Sequence, residues 1–424
     1  MKKEVIIKIV LGLLGVLFFF YILKEAKGNG DFKIYLEAAR LALSGETPYG
    51  KWIYVSEGNT GLYYYSQFWC FLLIPLTFIP QYFANLIWLL LNVFFIYRTW
   101  KLVLSYISNI GLKKKQINWI LILSVALGIR FILYNFDMIQ MTIFLLWGMF
   151  EGLRFIEKKY ILAGALLISI VINIKLLPIV ILPYLVYRSK FKASIFIILF
   201  SVVWLYLPAI VWGLEFNHTL LSGWWSVINP SNNEHLIEIY LGTHSLMSLI
   251  PTLLTSTEGG IPYQRNILDL SPESAILITN LFRLVLVLFS VYFLKWPPFI
   301  KRESKLSDFR ALSYLFLLIP LIFPHQQKYA FYLMSPAVVY ILTFMASNLD
   351  KEKRAISSNC WKVILTLLII FFLLTTATTD GLIGRELNNI TQHYKLITYG
   401  ALTLIPLLIL CKPKSIIVSE SSVS

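Results

Sequence analysis

Apolar stretches long enough to enter or cross a bilayer recur from one end of the chain to the other, and the short segments between them carry most of its lysine and arginine. Stretches of about 12 to 20 residues fit membrane helices; the alternating strands of an outer-membrane barrel leave a different pattern. Of the 424 residues, 58% are hydrophobic and only 14% charged, where a soluble domain has about 25% charged. The expected fold is therefore all-α, a polytopic helical bundle in the membrane. The formal net charge of +15 lies in clusters between apolar runs, where the positive-inside rule puts it. Topology accounts for most of that charge, with a minority left to anionic lipid or a phosphate-bearing substrate, and nucleic acid is not an expected partner. Cys70, Cys360 and Cys411 have apolar neighbours and no metal-ligand or redox spacing, so neither a zinc site nor a disulfide framework is expected.

Lys2 and Lys3 hold the start of a first span, Val5 to Leu23, in the cytoplasm, and no small-residue cleavage site follows it. It reads as a retained span, which turns residues 24–81 outward as a first external loop. Within that loop Tyr65 to Ile79 is short, contains Pro75 and ends at Pro80, the pattern of a re-entrant or interfacial helix. Counting it as a full span would put Lys113, Lys114 and Lys115 outside, against the charge rule. Tyr82 to Leu102 then crosses inward, and Ile117 to Leu133 and Met141 to Leu153 flank the turn Tyr134 to Gln140. Ile161 to Ile174 and Leu176 to Tyr187 are half-length runs hinged at Lys175 and Pro178. Ala193 to Trp212 leads into the longest external loop, residues 213–274, with His218, Trp224, Trp225, His235, His244, Tyr263 and Arg265. Ala275 to Leu294, Leu312 to Phe323, Tyr329 to Met345, Trp361 to Thr378 and Leu396 to Leu410 follow, with Lys301, Arg302, Lys351 and Lys353 on the inner side. The tally is about twelve spans in one transmembrane domain, 1–414, and a tail, 415–424, expected to be disordered.

The stretch from Gly28 to Tyr49 bears most directly on function. Asp31 opens a helix in which Phe32, Tyr35, Ala39 and Leu43 share one face and Lys33, Glu37, Arg40 and Ser44 the other, the periodicity of a helix lying on a membrane surface. Gly45 supplies its stop. Asp31 either caps this helix, as aspartate often does, or performs chemistry at the outer face. A lysine at bilayer depth costs roughly 2.5 to 3.5 kcal/mol, so Lys175 either snorkels or meets an anion. On this topology Asp31, Asp137, Gln140, Lys175, His244, Arg265, His325, Gln326 and Lys328 gather on the outer side. One carboxylate, several imidazoles, cations and many aromatic rings suit transfer of a sugar from a lipid phosphate. A base takes the acceptor proton, cations hold the departing phosphate, and rings stack on sugar faces. Plainer readings stand beside this one: His244 and His325 as interfacial hydrogen-bonding groups, Asp137 as a turn residue, Arg265 and Lys328 as solvated cations, and Trp224 and Trp225 as an aromatic belt. No carboxylate cluster calls for a metal and no glycine-rich nucleotide loop is present, so no cofactor is expected.

Asp31-Phe-Lys-Ile-Tyr35, with Ala38-Ala39 and Ser44-Gly-Glu-Thr-Pro-Tyr49, resembles the first external loop of GT-C glycosyltransferases, most closely the polyprenyl-phosphate-mannose-dependent mannosyltransferases of glycosyltransferase family 87. Tyr65-Ser66 resembles that family's Tyr-Ser-Pro start, with Gln67 in place of proline; Ile139-Gln-Met-Thr142 resembles Gly-Gln-Val-Asn, with only the glutamine kept. Ile174-Lys-Leu-Leu-Pro178 is similar to its Lys-Leu-Tyr-Pro turn, Thr243-His-Ser-Leu246 to Asn-Gln-Ser-Leu, and Pro324-His-Gln326 through Lys328-Tyr329 to its His-Tyr stretch. The resemblance implies a GT-C-like bundle with Asp31 as catalytic base. It implies that donor phosphate and sugar lie near Lys175, Gln140, His244 and His325, with Lys328, Arg265, Tyr35 and Tyr65 as further candidates. The implied activity is inverting transfer of a hexose, mannose by resemblance, from a polyprenyl-phosphate donor to an extracytoplasmic glycan or glycolipid, at the plasma membrane of a bacterium. The rivals are a transporter or lipid flippase, which calls for ionisable residues at mid-bilayer and internal symmetry, and a polymerase or ligase acting on lipid-linked glycans.

Overall fold

The computed structural model describes residues 3–57, 59–232, 235–238, 240–299, 304–350 and 354–416, and the side chains of these except 3–11 and 59. Lys2, Lys301, Arg302, Lys351, Lys353 and residues 417–424 of the expected tail lie outside the described residues. The first two tail residues do not behave as a free end: Ile416 is buried, and Asn348 Nδ2 donates to the Ser415 carbonyl at 3.0 Å.

Helix α1 (Lys3–Glu25) covers the first expected span, and the chain breaks at Gly28 and Gly30 before α2 (Asp31–Leu43). The apolar face of α2 does not rest on a membrane surface. Phe32, Tyr35 and Ala39 are buried in protein, as are Ile34, Leu36, Ala38 and Ala42, while Leu43 alone of the expected face is exposed. The stripe finds a protein partner instead of lipid, because α3 (Gln67–Thr77) packs along it and Trp88 stacks on Phe32 at 5.5 Å. Between α2 and α3 a small antiparallel hairpin pairs β1 (Ile53–Ser56) with β2 (Asn59–Gly61). Its two-residue period buries Ile53 and Val55 and exposes Tyr54. With 11 residues, α3 reaches roughly 16 Å, about half the hydrocarbon thickness.

Next come α4 (Gln81–Ile107), α5 (Lys114–Asp137), α6 (Thr142–Glu157) and α7 (Ile161–Ile174). Small residues let α6 and α7 approach closely: a Cβ on Gly164 would stand 2.6 Å from the Gly152 carbonyl oxygen. The expected hinge is there. Lys175 ends α7 with extended backbone (φ −141°, ψ 127°), a 3-10 turn over Leu177–Val180 follows, and α8 (Ile181–Tyr187) resumes.

The chain continues through α9 (Phe191–Tyr206), α10 (Ala209–Trp212), α11 (Leu214–Ile228), α12 (Leu246–Leu254), α13 (Pro272–Leu294), α14 (Lys305–Ile322), a 3-10 segment over Lys328–Met334, α15 (Ser335–Ser347), α16 (Ser358–Thr375), α17 (Asp380–His393) and α18 (Leu396–Leu410). The centre of the bundle is α14, buried from Ser307 to Leu321, with the segment from Tyr329 to Phe344 against it. Outer helices present Leu, Val and Ile to lipid, as Leu277, Leu281, Leu284 and Leu288 of α13 do. Among the described residues six helices are long and apolar enough to cross a membrane, or seven if α17 and α18, bent by 69°, form one span. The expected count is larger because α6, α7 and α18 hold 16, 14 and 15 residues, short of the ~17 to 25 of a full crossing.

Candidate active site

Gly30, not Asp31, occupies the cap position of α2, and no side chain caps the helix. Asp31 is the first helical residue. Its backbone N–H donates to the Met138 carbonyl at 2.9 Å, and its carboxylate Oδ2 accepts from Gln140 Nε2. The capping reading therefore fails, because the carboxylate is turned to a partner 109 residues away in sequence. Gln140 is fully buried and its amide orientation is dictated by its neighbours. Oε1 accepts from the Tyr35 hydroxyl at 3.0 Å and the Tyr65 hydroxyl at 3.4 Å, which leaves Nε2 for Asp31. Its carbonyl accepts from Trp88 Nε1 at 3.1 Å and Asn92 Nδ2 at 3.2 Å, while Asn85 Nδ2 donates to the carbonyls of Ala26 and Gly28. One face of α4 thus fixes both the segment bearing Gln140 and the break that leads to Asp31.

Lys175 closes the group. Its Nζ is 3.4 Å from the Tyr65 hydroxyl and lies 5.1 Å and 5.3 Å over the rings of Tyr65 and Tyr329. Part of the Asp31 surface stays open, although protein crowds it on every side. Burial dominates its ionisation and pushes its pKa up to about 6, against the opposing pull of the Lys175 ammonium and the Gln140 hydrogen bond. A carboxyl near that value is ionised at neutral pH and still basic enough to accept a proton.

The other candidates divide into neighbours and outliers. The His325 ring stacks on Tyr64 at 5.0 Å, next to the Tyr65–Lys175 pair, and feels the Lys175 charge. Both of its nitrogens are engaged, one by His235 and one by Glu238. His244 is fully buried, neither ring nitrogen has a partner among the described residues, and burial with nearby Lys395, Arg130 and Lys328 holds its pKa well below the usual value. Lys328 lies over the Tyr134 ring at 4.6 Å, and Tyr134 stacks on Tyr329. Arg265 is not solvated: it is buried in its own loop, NH2 near the carbonyls of Thr257 and Glu258, beside a cavity of about 460 Å³ lined by residues 256–266 and apart from the Asp31 group. Trp224 is no belt residue either; it is buried, with Nε1 3.3 Å from the Tyr64 carbonyl, whereas Trp225 is exposed.

Sequence reasoning missed Glu238, Trp88, Asn92 and Tyr329 as parts of this region. The available signal for Glu238 was a carboxylate three residues beyond His235, and it did not stand out because Glu234 is closer to that histidine and Glu215 lies as near His218. Among the described residues no group of three His, Cys, Asp or Glu side chains is arranged to hold a metal ion.

A bundle of apolar helices with one carboxylate, one lysine and a ring of tyrosines beside it is the frame of a membrane enzyme rather than of a structural protein. The model of glycosyltransferase family 87 matches residues 63–324, more than half of the chain, and the chain belongs to that family. It is a membrane glycosyltransferase. Comparison with curated proteins and with solved structures returns no match.

Proposed function

We propose that this glycosyltransferase moves a hexose, mannose in the first instance, from a polyprenyl-phosphate carrier to a glycan or glycolipid acceptor, with inversion and with Asp31 as general base. The observation that carries the reading is the pairing of the Asp31 carboxylate, on a residue that is only partly buried, with a lysine, Lys175, across a buried tyrosine pair. In a single displacement the acceptor hydroxyl attacks the anomeric carbon on the face opposite the phosphate. Its proton passes to Asp31 Oδ1, the oxygen not taken by Gln140, and the C–O bond to phosphate breaks with its electron pair going to phosphate. Lys175, over Tyr65, and His325, stacked on Tyr64 and within electrostatic reach of Lys175, are the groups to meet the negative charge that develops there. Displacement by an acceptor hydroxyl with Asp31 as base, and no covalent intermediate on a carboxylate, is the inverting course.

The same reading puts both termini in the cytoplasm, makes up about twelve passages with half-length and broken helices, and opens the site outward from a bacterial plasma membrane. The test is an assay of the purified full chain with polyprenyl-phosphate hexoses. Asp31→Asn is expected to abolish transfer while the variant still elutes as a folded protein. Retained transfer by that variant removes the role of Asp31, and no transfer by the wild type from any such donor removes the function.

A further inference from the structure

His325 is held in a chain of hydrogen bonds whose protons can be counted. The Val227 carbonyl can only accept, so His235 Nε2, 2.6 Å away, carries a hydrogen. In the neutral ring His235 Nδ1 is then bare, and His325 Nε2, 2.5 Å from it, is the donor between them. His325 Nδ1 lies 3.2 Å from Glu238 Oε1, close enough for a proton on either group to stabilise the contact, whereas bare lone pairs on both would repel. The contact is satisfied by one proton, on Glu238 or on His325. Glu238 is buried and anchored twice more, by the backbone N–H of His325 and by Ser245 Oγ at 2.9 Å. It also holds His325 at a φ of 54°, a conformation that side-chain-bearing residues rarely adopt. Burial pushes Glu238 up to about 7 and His325 down to about 3, so a proton held between them favours the carboxyl over the ring.

We infer that Glu238 and His235 set the charge of His325 on demand: a phosphate oxygen of the donor takes the place of His235 Nδ1 on the His325 Nε2–H, and the proton of Glu238 passes to His325 Nδ1. This rests on the function proposed above. The step is balanced, since one N–H···N bond is exchanged for N–H···O–P and one O–H for one N–H, with no proton gained or lost. The imidazolium so formed faces the phosphate as it departs, with the Glu238 carboxylate behind it. Until donor arrives, His235 occupies the phosphate's place. Glu238 is accordingly a positioning residue and His235 a competitor. Around this pair the charged and titratable groups are Lys175 from the break after α7, Arg283 from α13, Lys395 before α18, and Tyr64 and Tyr329.

The experiment measures donor KM, kcat and polyprenyl monophosphate binding, by thermal shift, on the purified full chain. Glu238→Gln is expected to raise donor KM about tenfold and to move the alkaline limb of kcat/KM up by at least one pH unit, since the amide has no proton to lose. His235→Phe, which keeps the ring and removes both nitrogens, is expected to lower donor KM severalfold and to tighten monophosphate binding. If the chain merely fastens the outer loop, both variants lose thermal stability together, with donor KM and the pH limb unchanged, and the inference is overturned. His235→Phe that weakens the donor as much as Glu238→Gln overturns it too. Wild-type protein that neither transfers from nor binds polyprenyl phosphates overturns the function and this inference together, whereas wild-type transfer with unaltered Glu238→Gln kinetics overturns the inference alone.

Discussion

Gly30→Ala is the smallest change expected to disable the site. The φ of Gly30 is −77°, open to any residue, so the substitution brings no conformational strain of its own. Its cost is steric: the new Cβ would stand 2.6 Å from both the carbonyl carbon and oxygen of Met138, where ordinary contact begins at 3.4 Å. The two segments must part by about 0.8 Å, the difference of those distances. The Gln140 carbonyl is held by Trp88 and Asn92, whereas Asn85 holds the break only as far as Gly28, so the start of α2 is the freer side and takes Asp31 with it. The shift goes straight into the Asp31–Gln140 hydrogen bond. Displacements of about 1 Å cost up to ~100-fold in rate, and overpacking costs about 1 to 3 kcal/mol of stability. We expect kcat to fall 10- to 100-fold with donor KM within about threefold, measured on purified protein with a polyprenyl-phosphate hexose. Gly15→Ala, whose added methyl meets nothing within 4 Å, is the control. A Gly30→Ala enzyme with wild-type kcat refutes the claim that the glycine break positions the base.

Ionisation supplies the next expectations. Asp31 must be unprotonated to accept a proton, so kcat is expected to rise with pH through about 6 and to be lost below it, in a pH–rate profile of the wild type. The native state prefers the protonated carboxyl, so the stability this group contributes is present below its unfolded pKa and lost as pH rises through about 6. Asp31→Asn should therefore be inactive yet melt higher than wild type at pH 7.5; an equal or lower Tm contradicts the burial of the charge. Lys175→Gln removes the cation that holds the Asp31 pKa down, and the acid limb of kcat is expected to move up while donor KM rises. An unmoved limb separates Lys175 from the base. Gly164→Leu inserts a side chain where even a Cβ would stand 2.6 Å from the Gly152 carbonyl oxygen, and should yield little monodisperse protein on size exclusion.

What the sequence makes legible here is what repeats locally. Apolar runs mark the helices, and a lysine followed by a proline marks the hinge at Lys175 and Pro178, because each signal sits within a few residues of its consequence. The direction of the α2 stripe was not legible: Phe32 and Tyr35 show that one face is apolar, and only the tertiary arrangement says that α3 and Trp88 cover it instead of lipid. The β1–β2 hairpin left a signal, the alternation Ile53-Tyr54-Val55 ahead of Gly58-Asn59, too short to stand out beside helices of twenty residues. Span number is hard to read for a related reason, since hydropathy cannot separate a full crossing from two half-length helices meeting at a bend, as α17 and α18 do.

Site chemistry follows the same divide between near and far. The residue types of the site could be counted from the sequence, but their meaning lies in pairings across long separations: Asp31 with Gln140, Lys175 with Tyr65, Glu238 with His325. Each joins a segment outside the long helices to a helix end, turn or hinge of the bundle. A base carried by α2 alone would follow every motion of a surface loop. Fastened through Gln140 to the α5–α6 turn, and through that turn to α4, it shares the rigidity of the membrane-embedded core. Lys175, at the break between α7 and the turn before α8, is anchored in the same way. Carboxylate and cation thus come from two independent breaks in the helical bundle, and the Tyr35–Tyr65–Gln140 cluster sets the distance between them.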